Sequence, residues 1–308
     1  MELCVSGIMK SFGEKEVLKG ISFTANAGSA FGLLGRNGAG KTTTIRIVMG
    51  VFPPDAGTVT IDGGAVSASG KRLGYLPEER GLYPKMKILD QIAYIGMLRG
   101  MNRTDARASG RRWLERLRMS ESADAKLNTL SKGNQQKIQL AATIVDNPDI
   151  VILDEPFSGL DPVNARLLKD VVSELIESGR IVIFSSHQMG YVEEFCDKIA
   201  IIGQGEILLE GDLKAIKRGY DRTHMEIRPE GEDGPGKLAA LWQDGQLADV
   251  CTDFSLRGEV ADLQLRDAAQ RDKLLHLLMN SGVALEQFSV LEPSLEEIFI
   301  EKAGAEDV

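Results

Sequence analysis

The chain holds 308 residues, 43% of them hydrophobic and 26% charged, with a formal net charge of −9. That length suits one large or two medium domains with a sizeable core, and the acidic balance argues against a general nucleic-acid binder, which needs a basic footprint. No apolar run approaches the ~18 residues of a membrane helix, and the opening MELCVSGIMKSFG lacks a signal peptide's apolar stretch, so the expected location is the cytosol or the cytosolic face of a membrane. Cys4, Cys196 and Cys251 are too widely spaced for a disulfide framework or a metal site and read as reduced, buried thiols.

Residues 1–218 alternate strand-like and helix-like runs, the pattern of a parallel α/β sheet. SAFGLLG (29–35) reads as a buried strand and KTTTIRIVMGVF (41–52) as the helix after it. GRNGAGKT joins them and matches the phosphate loop G-x-x-x-x-G-K-[ST] in the context that motif requires. Its glycines let backbone N–H groups face phosphates, Lys41 is expected to reach the β- and γ-phosphates, and Thr42 is expected to offer its hydroxyl to Mg2+. Gly35, Asn37, Gly38, Gly40, Lys41, Thr42 and Thr43 are therefore the candidate ATP contacts.

TVTIDG (58–63) and KRLGYLP (71–77) read as further strands. From about 85 to 145 the runs ILDQIAYIGMLRG, ARASGRRWLERLRM and KIQLAATIV are helical, an insertion in the sheet domain. DIVILDEP (149–156) is a buried strand with Asp154 at its C-terminal end, where open α/β sheets bind ligands. Asp154 is a candidate Mg2+ ligand, and Glu155 is the candidate base that polarises the attacking water, worth roughly two to four orders of magnitude in rate. RIVIFSSH (180–187) is a strand ending in His187, which is placed to contact the γ-phosphate; a structural histidine is the plain alternative. KIAIIGQGEILLEG (198–211) gives two strands around a turn at Gly203–Gly205.

Residues 219–308 change character. HMEIRP, ADVCTDFSLRG, EVADLQLRD and VALEQFSV are strand-like, EGEDGPGK (230–237) reads as an acidic loop, and DAAQRDKLLHLLMNSG and PSLEEIFIEKAG are helical. The order β-α-β-β-α-β fits a small split-βαβ sandwich, the expectation being a ferredoxin-like accessory domain.

One stretch is left over. LSKGNQQ (130–136) puts a Ser and a Gly ahead of a helix, which offers N–H groups and a helix dipole to an anion. A Ser-capped helix is the ordinary reading. A chain with one phosphate loop has no evident need of a second anion site.

LS-x-G-x-x-Q followed by ILDEP and SGLDP, downstream of GRNGAGKT, resembles the nucleotide-binding subunits of ABC transporters over residues 2 to about 215. The resemblance implies an α/β fold, a P-loop NTPase of the ABC ATPase kind, with a mixed sheet core, a helical subdomain and a small α+β C-terminal domain. It implies ATP and Mg2+ as ligands and a second nucleotide-binding subunit, the same chain or a related one, paired head to tail. Ser131 and Gly133 would then contact the γ-phosphate held by the partner, Phe12 would stack on adenine, and Asp161 would link the two sites. Glu78 stands where the family usually has a glutamine at Mg2+ and the water; a carboxylate also ligands a hard cation, and Arg80 is expected to offset its charge. Lys132 and Asn134 depart from the usual signature without removing its backbone donors.

YLPEERGLYP, LSKGNQQK and PSLEEIFIEKAG together resemble the sodium- and drug-efflux branch of bacterial ABC ATPases. That implies an ATP-hydrolysing subunit, cytoplasmic and peripheral on the inner face of the membrane, energising a separate transmembrane permease subunit during export, with no nucleic-acid partner. Leu82, Tyr83, Met86 and Ile88 are candidate contacts for the permease, with internal packing as the alternative. The rival from another class is a soluble ABC ATPase of translation or DNA repair. Against it stand the single ATPase half and the short stretch from Gly40 to Ser131, which leaves no room for a long coiled coil.

Overall fold

A strand buried on both faces needs apolar residues at successive positions, and the runs IVILD and IVIFS meet that condition. In chain order the strands up to residue 212 are β1 (Glu2–Phe12), β2 (Lys15–Asn26), β3 (Ser29–Gly35), β4 (Ala56–Ile61), β5 (Gly64–Ala65), β6 (Leu73–Leu76), β7 (Ile150–Asp154), β8 (Ile181–Ser185), β9 (Cys196–Gly203) and β10 (Glu206–Asp212). Every residue of β7 and β8 is buried. The computed structural model describes residues 1–79, 81–220 and 222–304. It divides into one unit of Met1–Leu213 together with the segment from Phe299 onward, and a second of Lys214–Ile298.

Two sheets build the first unit. The larger has the order β10-β9-β3-β8-β7-β6, parallel from β9 to β6 with β10 antiparallel at its edge. The smaller, β2-β1-β4-β5, is antiparallel throughout. TVTIDG, expected in the parallel sheet, belongs to this second sheet through β4, whereas KRLGYLP supplies β6 of the first. The alternation of buried and exposed side chains in β1 and β2 is what a sheet covered on one face produces. Leu3, Ile8, Leu18 and Ile21 of the smaller sheet share one core with Leu33, Ile152 and Ile183 of the larger. Phe23 stacks on Phe31 at 4.8 Å between centroids within it.

Helix α1 (Lys41–Val48) follows β3 and ends four residues before the limit expected from the sequence. Helices α2 (Ile88–Leu98), α3 (Arg103–Arg116) and α4 (Lys132–Ile144) form the helical region. An ion pair of 2.8 Å between Arg99 and the buried Asp146 ties α2 to the end of α4. The buried polar face of α4 has a purpose. Gln139 Nε2 donates to the carbonyls of Pro77 (3.0 Å) and Glu79 (3.2 Å), which fixes the segment carrying Glu78. Ile88, expected at a partner surface, is fully buried among these helices, because it starts α2 on its inward face; Tyr83 is exposed and meets Tyr94 edge-on. The chain continues through α5 (Pro162–Glu177), α6 (Met189–Phe195) and α7 (Leu213–Gly219).

Beyond residue 220 come β11 (His224–Pro229), α8 (Gly234–Gln243), β12 (Cys251–Arg257), β13 (Val260–Leu265), α9 (Arg271–Asn280), β14 (Leu285–Val290) and α10 (Leu295–Gly304). The four strands form an antiparallel sheet of order β12-β13-β11-β14. Met225, Ile227, Leu263, Leu274 and Leu278 pack into the core of this second unit. Helix α8 begins inside the stretch expected as a loop. Pro235 sits in its first turn, where a missing N–H costs nothing and a fixed φ favours the helix.

Candidate functional site

The turn between β3 and α1 is shaped by its glycines. Gly40 has φ +115°, and a Cβ there would lie 2.5 Å from Leu18 Cδ2, so only glycine fits. A Cβ on Gly35 would come within 2.5 Å of the Ile202 carbonyl oxygen. Lys41 Nζ donates to the carbonyls of Gly35 (2.6 Å) and Arg36 (3.2 Å), folding back over its own loop. Burial lowers the Lys41 pKa, and the carboxylates of Glu155, Asp154 and Glu78 pull it back up. The ammonium therefore sits in a field of three negative groups while donating to loop carbonyls, ready to exchange them for phosphate.

The carboxylates arrive by sheet register. Asp154 of β7 pairs with Ser185 of β8, so whatever follows each strand emerges side by side. Asp154 is 3% exposed. Burial pushes its carboxyl above the usual range, the charges of Glu155 and Glu78 add to that, and the Tyr75 hydroxyl, donating to Oδ2 at 3.3 Å, offsets part of it. Glu155 has φ +49°, a left-handed backbone unusual for a residue with a side chain and costing on the order of 1–3 kcal/mol. Its N–H donates to the Ser185 carbonyl at 2.8 Å, which holds that conformation.

The Glu155 side chain is buried, and both of its oxygens are engaged. Oε1 accepts from the His187 backbone N–H at 2.7 Å and lies 2.6 Å from His187 Nδ1, while Oε2 accepts from Ser186 Oγ at 3.0 Å. His187 lies two residues beyond the end of β8, in the turn before α6, with its side chain 63% exposed.

These groups surround a cleft of about 540 Å3. Asn37, Gly38, Gly40, Lys41, Thr42 and Thr43 line one side, and Glu78, Asp154, Glu155 and His187 the other. Lys15, Val17 and Gln204 are among its further lining residues, a contribution the sequence reading missed. Its one signal was the turn at Gln204–Gly205, which has no motif of its own. The position expected of Arg80 lies outside the described residues.

Besides Gly35, which closes β3 behind the loop, four of the candidate residues stand outside the cleft lining. Phe12 ends β1, half exposed, with its ring edge-on to Phe52 at 5.6 Å. Ser131 caps α4, its Oγ accepting from the Asn134 N–H at 3.3 Å, and is itself exposed. Gly133 is buried; a Cβ there would stand 3.2 Å from Asn164 Nδ2. Asp161 caps α5 by accepting from the N–H groups of Val163 and Asn164, both at 3.0 Å. The Asn164 bonds hold the Asp161 carboxyl below its ordinary range. The two loops therefore adjoin each other, and Gln136 Nε2 adds a bond to the Pro156 carbonyl at 3.2 Å, just past Glu155.

Comparison with known proteins agrees with this geometry. The family model described as ABC transporter matches residues 18–158, and that of the C-terminal domain of DrrA1-3-like ATP-binding proteins matches residues 211–303. The uncharacterized ABC transporter ATP-binding protein YhaQ of Bacillus subtilis is 38% identical over 98% of this chain and 99% of its own. The linearmycin resistance ATP-binding protein LnrL of the same organism is 33% identical over 98% of both. Nod factor export ATP-binding protein I of Burkholderia lata is 36% identical over 68% of this chain and 70% of its own. Among solved structures, an ATP-binding subunit of an ABC transporter superposes with a TM-score of 0.65 at 26% identity, covering 71% of this chain and 93% of that one. Phosphate loop, paired carboxylates, fold and full-length relatives converge: this chain belongs to the ATP-binding proteins of ABC transporters, ATPases coupled to transport.

Proposed function

We propose that this chain is the motor subunit of an exporter, with ATP hydrolysed in the cleft between the 36–43 loop and the ends of β7 and β8. The observation that carries the chemistry is the Glu155 carboxylate, buried beside Asp154 and bonded to His187 at 2.6 Å. Lys41 neutralises the β- and γ-phosphates. Glu155 takes a proton from the attacking water, and His187 holds that carboxylate and meets the γ-phosphate. Thr42, Asp154 and Glu78 offer only oxygen donors, the set a hard divalent cation prefers. Mg2+ held there would neutralise phosphate charge.

Ser131, Gly133 and Asp161 act, in this reading, on the nucleotide of a second subunit. The exposure of Ser131 and Asp161 at the heads of α4 and α5, outside the lining of the chain's own cleft, supports that assignment. Phe12 stacks on adenine. We place the chain in the sodium- and drug-efflux branch on its YLPEERGLYP and PSLEEIFIEKAG segments, and the printed names of the linearmycin resistance and Nod factor export relatives support export. Residues 1–218 form the ATPase domain and 219–308 an accessory domain of ferredoxin-like topology. A transmembrane subunit docks beside Tyr83, Leu82 and Met86, which holds the chain at the inner face of the membrane. Among the described residues no helix is long and apolar enough to cross a membrane.

Glu155→Gln tests the chemistry: turnover is lost, and an ATP-bound dimer accumulates on size exclusion. Steady-state hydrolysis near the wild-type rate would remove Glu155 as the base. A detergent pull-down from native membranes tests the partner; recovery of ribosomes or repair proteins in place of a multi-span protein would overturn the export reading.

A further inference from the structure

We propose that Ser186 is a positioning residue for hydrolysis, orienting the Glu155 carboxylate independently of His187. The proposal rests on the reading of Glu155 as the base. The register that pairs Asp154 with Ser185 sends Glu155 and Ser186 out of adjacent strands together. Ser186 is 2% exposed. Its hydroxyl has one proton to give. Gln188 N–H donates to Ser186 Oγ at 3.0 Å, occupying a lone pair, and Ser186 Oγ stands 3.0 Å from Glu155 Oε2. The proton is thus directed at the carboxylate, and the polarity of that bond is fixed by the Gln188 amide.

The two oxygens of Glu155 divide their partners. Among the described residues Oε1 takes both contacts from His187, and Oε2 takes the hydroxyl of Ser186. The terminal torsion of a glutamate is broad and roughly two-fold, so a carboxylate held by one oxygen still turns. Holding both oxygens stops it and leaves Oε2 a lone pair for a proton from water. His187 and Ser186 differ in what they are free to do. The His187 side chain is 63% exposed, and it can leave to meet a phosphate. Ser186 is enclosed, with its hydroxyl turned to the carboxylate. It keeps the carboxylate aimed when the imidazole turns to substrate.

The test compares Ser186→Ala, Ser186→Thr and Glu155→Gln by steady-state ATPase assay, ATP binding and thermal melting. A hydrogen bond to a charged group translates to a fall in kcat of about tenfold to a hundredfold for Ser186→Ala. KM for ATP and ATP-driven dimer formation stay at wild-type values, and Ser186→Thr, which keeps the hydroxyl, restores most of the turnover. Wild-type kcat in Ser186→Ala, or equal losses in the Ala and Thr variants, overturns the proposal. A fall in melting temperature with a matching rise in KM identifies a merely structural role and also overturns it. Turnover retained by Glu155→Gln would be a separate failure, that of the base itself.

Discussion

The helix N-termini of α1 and α4 are both read as anion sites, and they are finished to different degrees. At the head of α1 the loop meets Lys41, Asp154, Glu155 and His187 across a cleft. At the head of α4, Ser131 caps its own helix and faces outward, with Gly133 packed near Asn164 behind it. The first has charge, acid–base groups and walls; the second has backbone donors and exposure. A bare helix terminus contributes about 0.3–1 kcal/mol toward an anion, too little to hold a nucleotide. A half-site of that kind gains value only when the nucleotide arrives already bound to something else.

Mutations at the two sites should therefore fail differently. Glu155→Gln has the largest effect, lowering turnover by roughly two to four orders of magnitude. Ser131→Arg comes next. Turnover falls by about tenfold or more, because dimer closure is lost, while the monomer's affinity for ATP stays within about twofold, as expected of distant sites. Equilibrium titration of the monomer checks this, and a large loss of affinity would erase the distinction between the sites.

A smaller effect sharpens the comparison from the side of stability. The folded-state pKa of Asp154 is raised, chiefly by burial, so its ionisation opposes folding above the unfolded carboxylate pKa. Asp154→Asn should raise the melting temperature by roughly 1–3 °C at pH 7. The gain should disappear as pH falls through the folded pKa to the unfolded value, where both states are protonated. An equivalent change at exposed Asp161, whose pKa is shifted down by the Asn164 amide, should destabilise instead. Melting curves across pH decide both. The smallest effect belongs to Phe12→Ala, expected to weaken ATP about three- to tenfold with kcat unchanged; equal weakening of inorganic triphosphate would argue against adenine stacking.

Much of the first site was legible because its signals are local. GRNGAGKT and LDEP each lie within eight residues and sit where a strand meets the cleft. What escaped depends on pairing between distant segments. That β7 and β8 are neighbours, and that Asp154 faces Ser185, is invisible in either run, so the bonds from Ser186 and His187 to Glu155 had no signature. TVTIDG has the same alternation whichever sheet it joins, and only its partner β1 decides. Ile88 was equally at home on a surface or inside, and the packing of α2 settled it. Helix α8 was hidden because glycine and proline, which usually mark loops, occupy its first turn.

The turn between β9 and β10 gives the phosphate loop a property not evident from the loop alone. Gly205 N–H donates to the Ala39 carbonyl at 3.2 Å, and the Gly205 carbonyl accepts from the Lys19 N–H at 2.8 Å. One residue thus stitches the loop's base to both sheets, close enough that a Cβ would lie 2.4 Å from the Val17 carbonyl oxygen. In hydrogen-exchange terms, the Lys19 and Gly205 amides should open only with the core, while Asn37 and Gly38 exchange from the exposed tip. The cradle is then shaped before any nucleotide enters, and little ordering entropy is left to be lost on binding.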